Sequence, residues 1–118
     1  MNATHVLATA AQAFVSIYHA DDRLCADQAD WDCVVRLQAT DATEVVSLDI
    51  RLGRVHDVTT ADATAQLVVT ARLSILLDVL HLRLNPSEPY IFGELVVAGD
   101  EADFMRVDYI ASTLCASA

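Results

Sequence analysis

Two consecutive segments in which apolar and polar residues alternate constrain the fold of this chain more than any other feature. From Trp31 to Thr40 all the apolar side chains except Val34 share one parity. From Val46 to Leu52 the apolar side chains again share one parity and alternate with Ser47, Asp49 and Arg51. A period of two predicts a strand with one buried face. Because the short polar stretch 41–43 separates the two segments, we expect them to form an antiparallel hairpin.

Three more strands are expected after the hairpin. Gly53 is expected to turn the chain into a strand near 54–59, and residues 65–70 (AQLVVT) predict a shorter one. Residues 94–98 form a short apolar run between Gly93 and Gly99. The sequence therefore predicts five strands.

Helices are predicted at both ends of the chain and between the last two strands. Residues 4–19 show apolar positions at helical spacing, and residues 72–81 place Leu73, Leu76, Leu77 and Leu80 on one stripe. Asp100 is expected to cap a terminal helix that carries Phe104 on its inner face.

Two segments are expected to be irregular. Residues 20–30 are polar and acidic and predict a connection, and residues 85–89 hold both prolines, so they cannot continue the preceding helix. No linker or repeat divides the chain, which predicts one domain over residues 1–118. The expected fold class is α+β, with a mostly antiparallel five-stranded sheet covered on one face by helices.

The charge of the chain excludes several classes of function. Its 118 residues include 17 acidic and seven basic side chains, for a net charge of −10. Nucleic-acid binding depends on neutralising phosphates, so this balance argues against it and against attraction to an anionic membrane surface. No apolar run is long enough to cross a bilayer, so no integral membrane association is expected.

Residue types that are absent or rare exclude further kinds of catalytic and binding chemistry. The chain has no lysine, which excludes a lysine Schiff base, and its three scattered glycines do not form a phosphate-binding loop. The arginine-only, alanine-rich composition predicts a bacterial source. Cys25, Cys33 and Cys115 are odd in number and lack paired spacing, which predicts reduced thiols and a cytoplasmic location.

The last part of the chain, residues 62–114, resembles the sterol carrier protein type-two-like family. The resemblance is carried by a short strand before an apolar helix, the Asn85-Pro86 turn, the Gly93–Gly99 strand and Asp100 at the start of the last helix. It implies a five-stranded sheet with helices on one face and a hydrophobic tunnel between them. It also implies an apolar small molecule or lipid as the partner.

The candidate ligand-binding residues are the apolar ones expected to face that tunnel, which would have a volume of about 300–1,000 Å³. They are Val35, Leu37, Leu48, Ile50, Leu73, Leu76, Leu77, Leu80, Phe92, Leu95, Val97, Phe104, Met105 and Tyr109. Four residues are candidate partners for a polar head group of the ligand: Tyr18, Tyr109, Ser112 and Thr113. If their side chains face outward, they are ordinary surface residues.

The four histidines raise the question of a metal or an acid–base site. No pair of them has His-x-x-x-His spacing, and the nearest cluster is His19 with Asp21 and Asp22, which also fits solvated charges at a helix end. His56 and Asp57 are adjacent on a predicted strand and should point to opposite faces. We therefore expect neither a metal nor a cofactor.

Three functions remain open from the sequence. The first is a carrier of a lipid, sterol, acyl chain or polyketide-like molecule. The second is an enzyme of bacterial natural-product biosynthesis that cyclises or rearranges its substrate in the same cavity, with Glu94, Asp108, His81 and Tyr109 as candidate catalytic residues. The third is an acidic accessory subunit that docks a partner enzyme, and a homodimer is also compatible with the sequence.

Overall fold

A five-stranded sheet with helices on one face forms the framework of the protein. The computed structural model describes residues 5–60 and 64–117. The elements are α1 (Val6–His19), α2 (Asp22–Asp27), β1 (Cys33–Ala39), β2 (Val45–Arg51), β3 (Arg54–Thr59), β4 (Leu67–Ala71), α3 (Leu73–Leu80), α4 (Ser87–Ile91), β5 (Leu95–Gly99) and α5 (Glu101–Ser117). The strand order is β3-β2-β1-β4-β5, and only β1 and β4 run parallel among the described pairs. The predicted fold class is confirmed.

The hairpin predicted from alternation is present, and its register determines which side chains are buried. Strand β1 pairs antiparallel with β2, with Val35 opposite Leu48 and Cys33 opposite Ile50. All four of these side chains are buried, as alternation with one buried face requires. The inner face of the sheet is therefore continuous from β2 across β1.

Strand β3 has a neighbouring strand on one side only, unlike the strands at the centre of the sheet. It lies at one edge, pairs with β2 alone, and its register shifts between Asp49 and Ile50 of β2. A bulge of this kind interrupts the ladder of hydrogen bonds and bends the strand. The helix side of β3 contacts α1.

The turn between β2 and β3 requires glycine at residue 53. Gly53 has φ of +76°, and a Cβ at this position would lie 2.4 Å from the carbonyl oxygen of Gln28. Its N–H donates to the carbonyl oxygen of Trp31 at 2.9 Å. The turn is thus packed directly against the chain that leads into β1.

Two short helices occupy segments that the sequence predicted to be irregular. Residues 20–30 contain α2, which begins because the Leu24 N–H donates to the Asp21 carboxylate at 3.0 Å. Residues 85–89 do end α3, but Pro86 lies at the start of α4, where a missing backbone donor has no cost. The prediction of a connection was wrong at residues 20–30, whereas the prediction that α3 does not continue through residues 85–89 is confirmed. Neither short helix was predicted, because six and five residues carry too few apolar positions to show a period.

The terminal helix begins as the sequence predicts. The Ala102 N–H donates to the Asp100 carboxylate at 2.9 Å, which is the interaction of a capping residue. Glu101 and Asp103 lie in the first turn of α5, where negative charge is favourable. The cap fixes the rotation of α5 and so decides which of its side chains face the sheet.

Candidate functional site

An apolar cavity of about 60 Å³ lies between the sheet and the helices. Side chains from β1, β2, β3, β4 and β5 form one wall, and side chains from α1, α3 and α5 form the other. The atoms that face the cavity are apolar. The space is at the predicted place, but the open pocket of about 300–1,000 Å³ that was expected is not present in this conformation.

Eight of the predicted ligand-binding residues line the cavity. They are Val35, Leu37, Leu48, Ile50, Leu76, Leu80, Leu95 and Phe104. The four on β1 and β2 are there because the alternation and the register together fix their direction. Leu76 and Leu80 lie one helical turn apart on α3 and therefore point to the same side.

The other six lie off the cavity. Phe92, Met105 and Tyr109 are 78%, 61% and 50% exposed. On α5 the inward face carries Phe104, Val107 and Ala111, so Met105 is rotated about 100° away from it. Leu73, Leu77 and Val97 are half-buried and pack against the core without reaching the cavity.

Ten further residues line the cavity that were not among the predicted apolar ligand-binding residues, although Tyr18 was a head-group candidate: Phe14, Tyr18, Trp31, Val55, Val69, Val79, Pro86, Val107, Ile110 and Ala111. A signal existed for several of them. Trp31 shares the inward parity of Val35, and Val69 lies opposite Leu37 in the parallel pair. Phe14 and Tyr18 are four residues apart on α1, on one face of that helix.

Tyr18 closes one side of the cavity. Its buried hydroxyl donates to the carbonyl oxygen of Gly53, and burial, followed by the nearby Cys25, raises the pKa of the phenol. Next to it, the Val55 N–H donates to Nε2 of His19 at 3.0 Å. These two hydrogen bonds join the end of α1 to the β2–β3 turn and to β3. Of the four head-group candidates, only Tyr18 lies on the cavity.

Charged and aromatic side chains surround Trp31 on the α5 side of the cavity. Arg106 of α5 donates to the Asp30 carboxylate at 2.9 Å and to the Gln28 side-chain oxygen at 3.0 Å, and its guanidinium lies 5.9 Å from the ring centre of Trp31. The indole N–H of Trp31 donates to Asp103 at 2.9 Å. Hydrogen bonding to Arg106 holds the pKa of Asp30 below its usual value.

The candidate metal and catalytic residues do not converge. His19 accepts a backbone hydrogen bond, Asp21 caps α2 and Asp22 lies 3.7 Å from Arg54. No group of three or more His, Cys, Asp or Glu side chains suited to a metal occurs within residues 5–60 and 64–117.

The enzymatic candidates lie away from the cavity. Glu94, His81 and Tyr109 are exposed, and Asp108 accepts a hydrogen bond from the Ser87 N–H at 3.2 Å. Burial, and to a smaller extent Asp103, raises the pKa of the Cys33 thiol to about 12, so Cys33 is a neutral buried side chain.

The arrangement of sheet, helices and cavity was compared with known proteins. A family model described as the SCP-2 sterol transfer family matches residues 14–112. The chain belongs to this family. Membership supports lipid or sterol binding or transfer as the class of function. Among curated protein sequences, none matches this chain.

Solved structures share the fold at low sequence identity. The crystal structure of sterol carrier protein 2 matches with a TM-score of 0.70 over 92% of each chain at 21% identity. A ubiquinone synthesis protein, UbiJ-SCP2, matches with a TM-score of 0.72 at 19% identity, over 92% of this chain and 95% of that one. Palmitated SCP2L2 from Aedes aegypti matches with a TM-score of 0.66 at 17% identity, over 88% and 92%.

Within the helices described, none combines the length and the apolar character that crossing a bilayer requires.

Proposed function

We propose that the protein binds one elongated apolar molecule, a lipid, sterol or acyl chain, between the sheet and the helices and carries it. The observation that supports this most is the apolar surface of the cavity, to which the sheet and three helices all contribute. Membership of the SCP-2 family points the same way, and one structure with the same fold is described as palmitated.

The ligand we propose needs more space than the closed cavity offers. About 60 Å³ holds only a small part of an acyl chain or sterol, and pockets for such ligands measure about 300–1,000 Å³. The wall opposite the sheet consists of helices that contact it through side chains, so a shift of a helix breaks few backbone hydrogen bonds. We therefore expect the cavity to enlarge as the ligand enters.

The energetics favour a ligand that is mainly hydrocarbon. Burial of about 400 Å² of apolar ligand surface contributes roughly 10 kcal/mol before costs. Association costs about 4–15 kcal/mol, and opening the cavity adds to that cost, so the net affinity is modest. Because apolar atoms face the cavity, a polar head group is best accommodated at the protein surface.

A substitution that fills part of the cavity tests the proposal. Ala111 is buried and lines the cavity, and Ala111→Leu adds an isopropyl group to that space. We expect Ala111→Leu to weaken binding of dehydroergosterol and of 12-NBD-stearate by about tenfold, which corresponds to roughly 1.4 kcal/mol. Ala102→Leu, at an exposed position of the same helix, is the matched control and should bind like the wild type.

A second variant separates loss of binding from loss of the fold. Leu76→Ala enlarges the cavity at some cost in stability, and we expect it to take up the same probes faster. Circular dichroism at the assay temperature checks that each variant is folded. The proposal fails if the wild type binds neither probe, or if Ala102→Leu weakens binding as much as Ala111→Leu.

A further inference from the structure

Edge strand β3 is fastened to α1 by four residues, Tyr18, His19, Gly53 and Val55, which we call the α1–β3 clasp. The Tyr18 hydroxyl donates to the Gly53 carbonyl oxygen, and the Val55 N–H donates to His19 Nε2 at 3.0 Å. Tyr18 and Val55 also line the cavity. Opening the clasp therefore separates two parts of the cavity wall.

Strand β3 is one of the two edge strands of the sheet, so a movement of it disturbs only one ladder of backbone hydrogen bonds. It pairs with β2 on one side only, and its register is interrupted between Asp49 and Ile50. Its side chains are half-buried or exposed. The clasp is thus a large part of what holds β3 against α1.

The hydrogen bond to His19 exists in one protonation state only. Nε2 accepts the Val55 N–H through its lone pair, so it carries no proton, whereas a protonated imidazole bears N–H groups at both nitrogens. Protonation of His19 therefore turns an acceptor into a donor that faces the Val55 N–H. The clasp loses one of its two hydrogen bonds at that point.

We propose that the α1–β3 clasp is an acid-sensitive gate of the cavity, which loosens when His19 is protonated and then speeds ligand exchange. This proposal rests on the ligand-binding function proposed above. The gate acts through a change in the position of β3 relative to α1. His19 is a positioning residue, because it holds Val55 and does not itself line the cavity.

The charged neighbours of His19 have both signs: two cations oppose its protonation, and two carboxylates favour it. The cations, Arg54 and His56, lie on β3. The carboxylates belong to Asp21, which caps α2, and to Asp22, which lies 3.7 Å from Arg54. On α1 itself, the ring centre of Tyr18 lies 5.7 Å from that of His19. Burial lowers the pKa of His19, and the positive charges of Arg54 and His56 lower it further.

The sign of the pH dependence follows from the lowered pKa of His19. The folded state binds a proton at His19 less readily than the unfolded chain does, in which the pKa is about 6.5. The clasp is therefore fully stabilised above pH of about 6.5, and it weakens as the pH falls below that value. Loosening should appear in the mildly acidic range.

Hydrogen exchange of the Val55 amide tests the clasp without any ligand. We expect its protection factor, corrected for the intrinsic rate, to fall about fivefold between pH of about 7.5 and about 5 in the wild type. His19→Gln supplies an amide oxygen that can accept the same N–H and does not titrate, so its protection should stay nearly constant. His56→Gln removes a neighbouring exposed histidine but keeps His19, so its protection should still fall with pH, with the fall shifted to slightly higher pH because a positive neighbour of His19 is lost.

Uptake of dehydroergosterol, which is uncharged at both pH values, tests the gate. We expect faster uptake at the lower pH in the wild type and in His56→Gln, and no acceleration in His19→Gln. Equal pH dependence of Val55 protection in the wild type and His19→Gln overturns the proposal, as does uptake at the same rate at both pH values. If protection changes as expected but no probe binds, the ligand-binding function itself is overturned and the contact has no gating role.

Discussion

Two neighbouring regions of the cavity wall are held together by different chemistry. On the β3 side, the α1–β3 clasp uses two hydrogen bonds, one from a phenol to a backbone carbonyl and one from a backbone N–H to a histidine. On the α5 side, Arg106 pairs with Asp30, and the Trp31 indole donates to Asp103. The first region contains an imidazole, His19, whose pKa is lowered by burial, and the second depends on charges that persist at mildly acidic pH.

Because of this difference, the two sides lose their stabilisation at different pH values. Stabilisation from neutral His19 is lost as the pH falls below its unfolded value of about 6.5. Asp30 has a lowered pKa, so its pairing with Arg106 persists to more acidic pH and is lost only as the pH falls through the folded value. Between these two ranges, the β3 side is loosened while the α5 side still holds.

Among the substitutions that test this comparison, the largest loss of stability is expected at Gly53, where the two sides meet. Its carbonyl accepts from Tyr18 and its N–H donates to Trp31. Gly53→Ala adds a Cβ 2.4 Å from a backbone oxygen at φ of +76°. We expect the free energy of unfolding to fall by about 3 kcal/mol, as measured by urea denaturation.

Gly93→Ala is the control for that measurement. Gly93 has the same φ of +76°, but a Cβ there meets nothing within 4 Å. Backbone strain alone should then cost about 1 kcal/mol. If the two substitutions destabilise the protein equally, the close contact with Gln28 does not hold the β2–β3 turn in place.

A smaller loss is expected from Trp31→Phe on the α5 side. The substitution removes the hydrogen bond to the Asp103 carboxylate and weakens the contact with the Arg106 guanidinium. We expect about 2 kcal/mol of destabilisation, because hydrogen bonds to charged groups are stronger than neutral ones. Urea denaturation at neutral pH measures it, and no change in unfolding free energy would show that this side is held by other contacts.

Tyr18→Phe on the β3 side should cost less, about 1 kcal/mol, because the lost bond is between neutral groups. It should leave the pH dependence of Val55 protection unchanged, since His19 remains in place. Hydrogen exchange and urea denaturation together check both statements. A loss of the pH dependence in Tyr18→Phe would mean that the two bonds of the clasp do not act separately.

The smallest effect is expected from Arg106→Gln. The partner carboxylate of Asp30 is exposed, so salt screens the pair strongly. We expect a slight fall in melting temperature at low ionic strength that disappears in high salt. Arg23→Gln, which removes one positive charge at an exposed position of α2, is the control for a general effect of net charge. A fall that is independent of salt would show that packing on Trp31, and not charge, is what Arg106 contributes.

The parts of this architecture that follow from local periodicity could be predicted. The β1–β2 hairpin and four of its cavity residues, Val35, Leu37, Leu48 and Ile50, follow from alternation. Helix α3 follows from its leucine stripe, and the start of α5 from its acidic cap.

The rest depends on contacts between distant residues. Helix α5 has apolar residues on more than one side, so its sequence period alone did not show that Met105 and Tyr109 face outward. Phe92 follows the end of α4, where no period applies. The small volume of the cavity reflects how closely the helices approach the sheet, which no single segment encodes.

Methyl NMR with doxyl-labelled stearic acid tests most directly whether the ligand lies between the sheet and the helices. The account predicts that methyl signals of Val35, Leu76 and Ile110, which line the cavity, broaden on addition of the spin-labelled acid. Methyl signals of Ile91 and Val96, which are exposed, should stay sharp. Broadening of Ile91 and Val96 while the cavity signals stay unchanged, or no broadening at any site, would contradict the account.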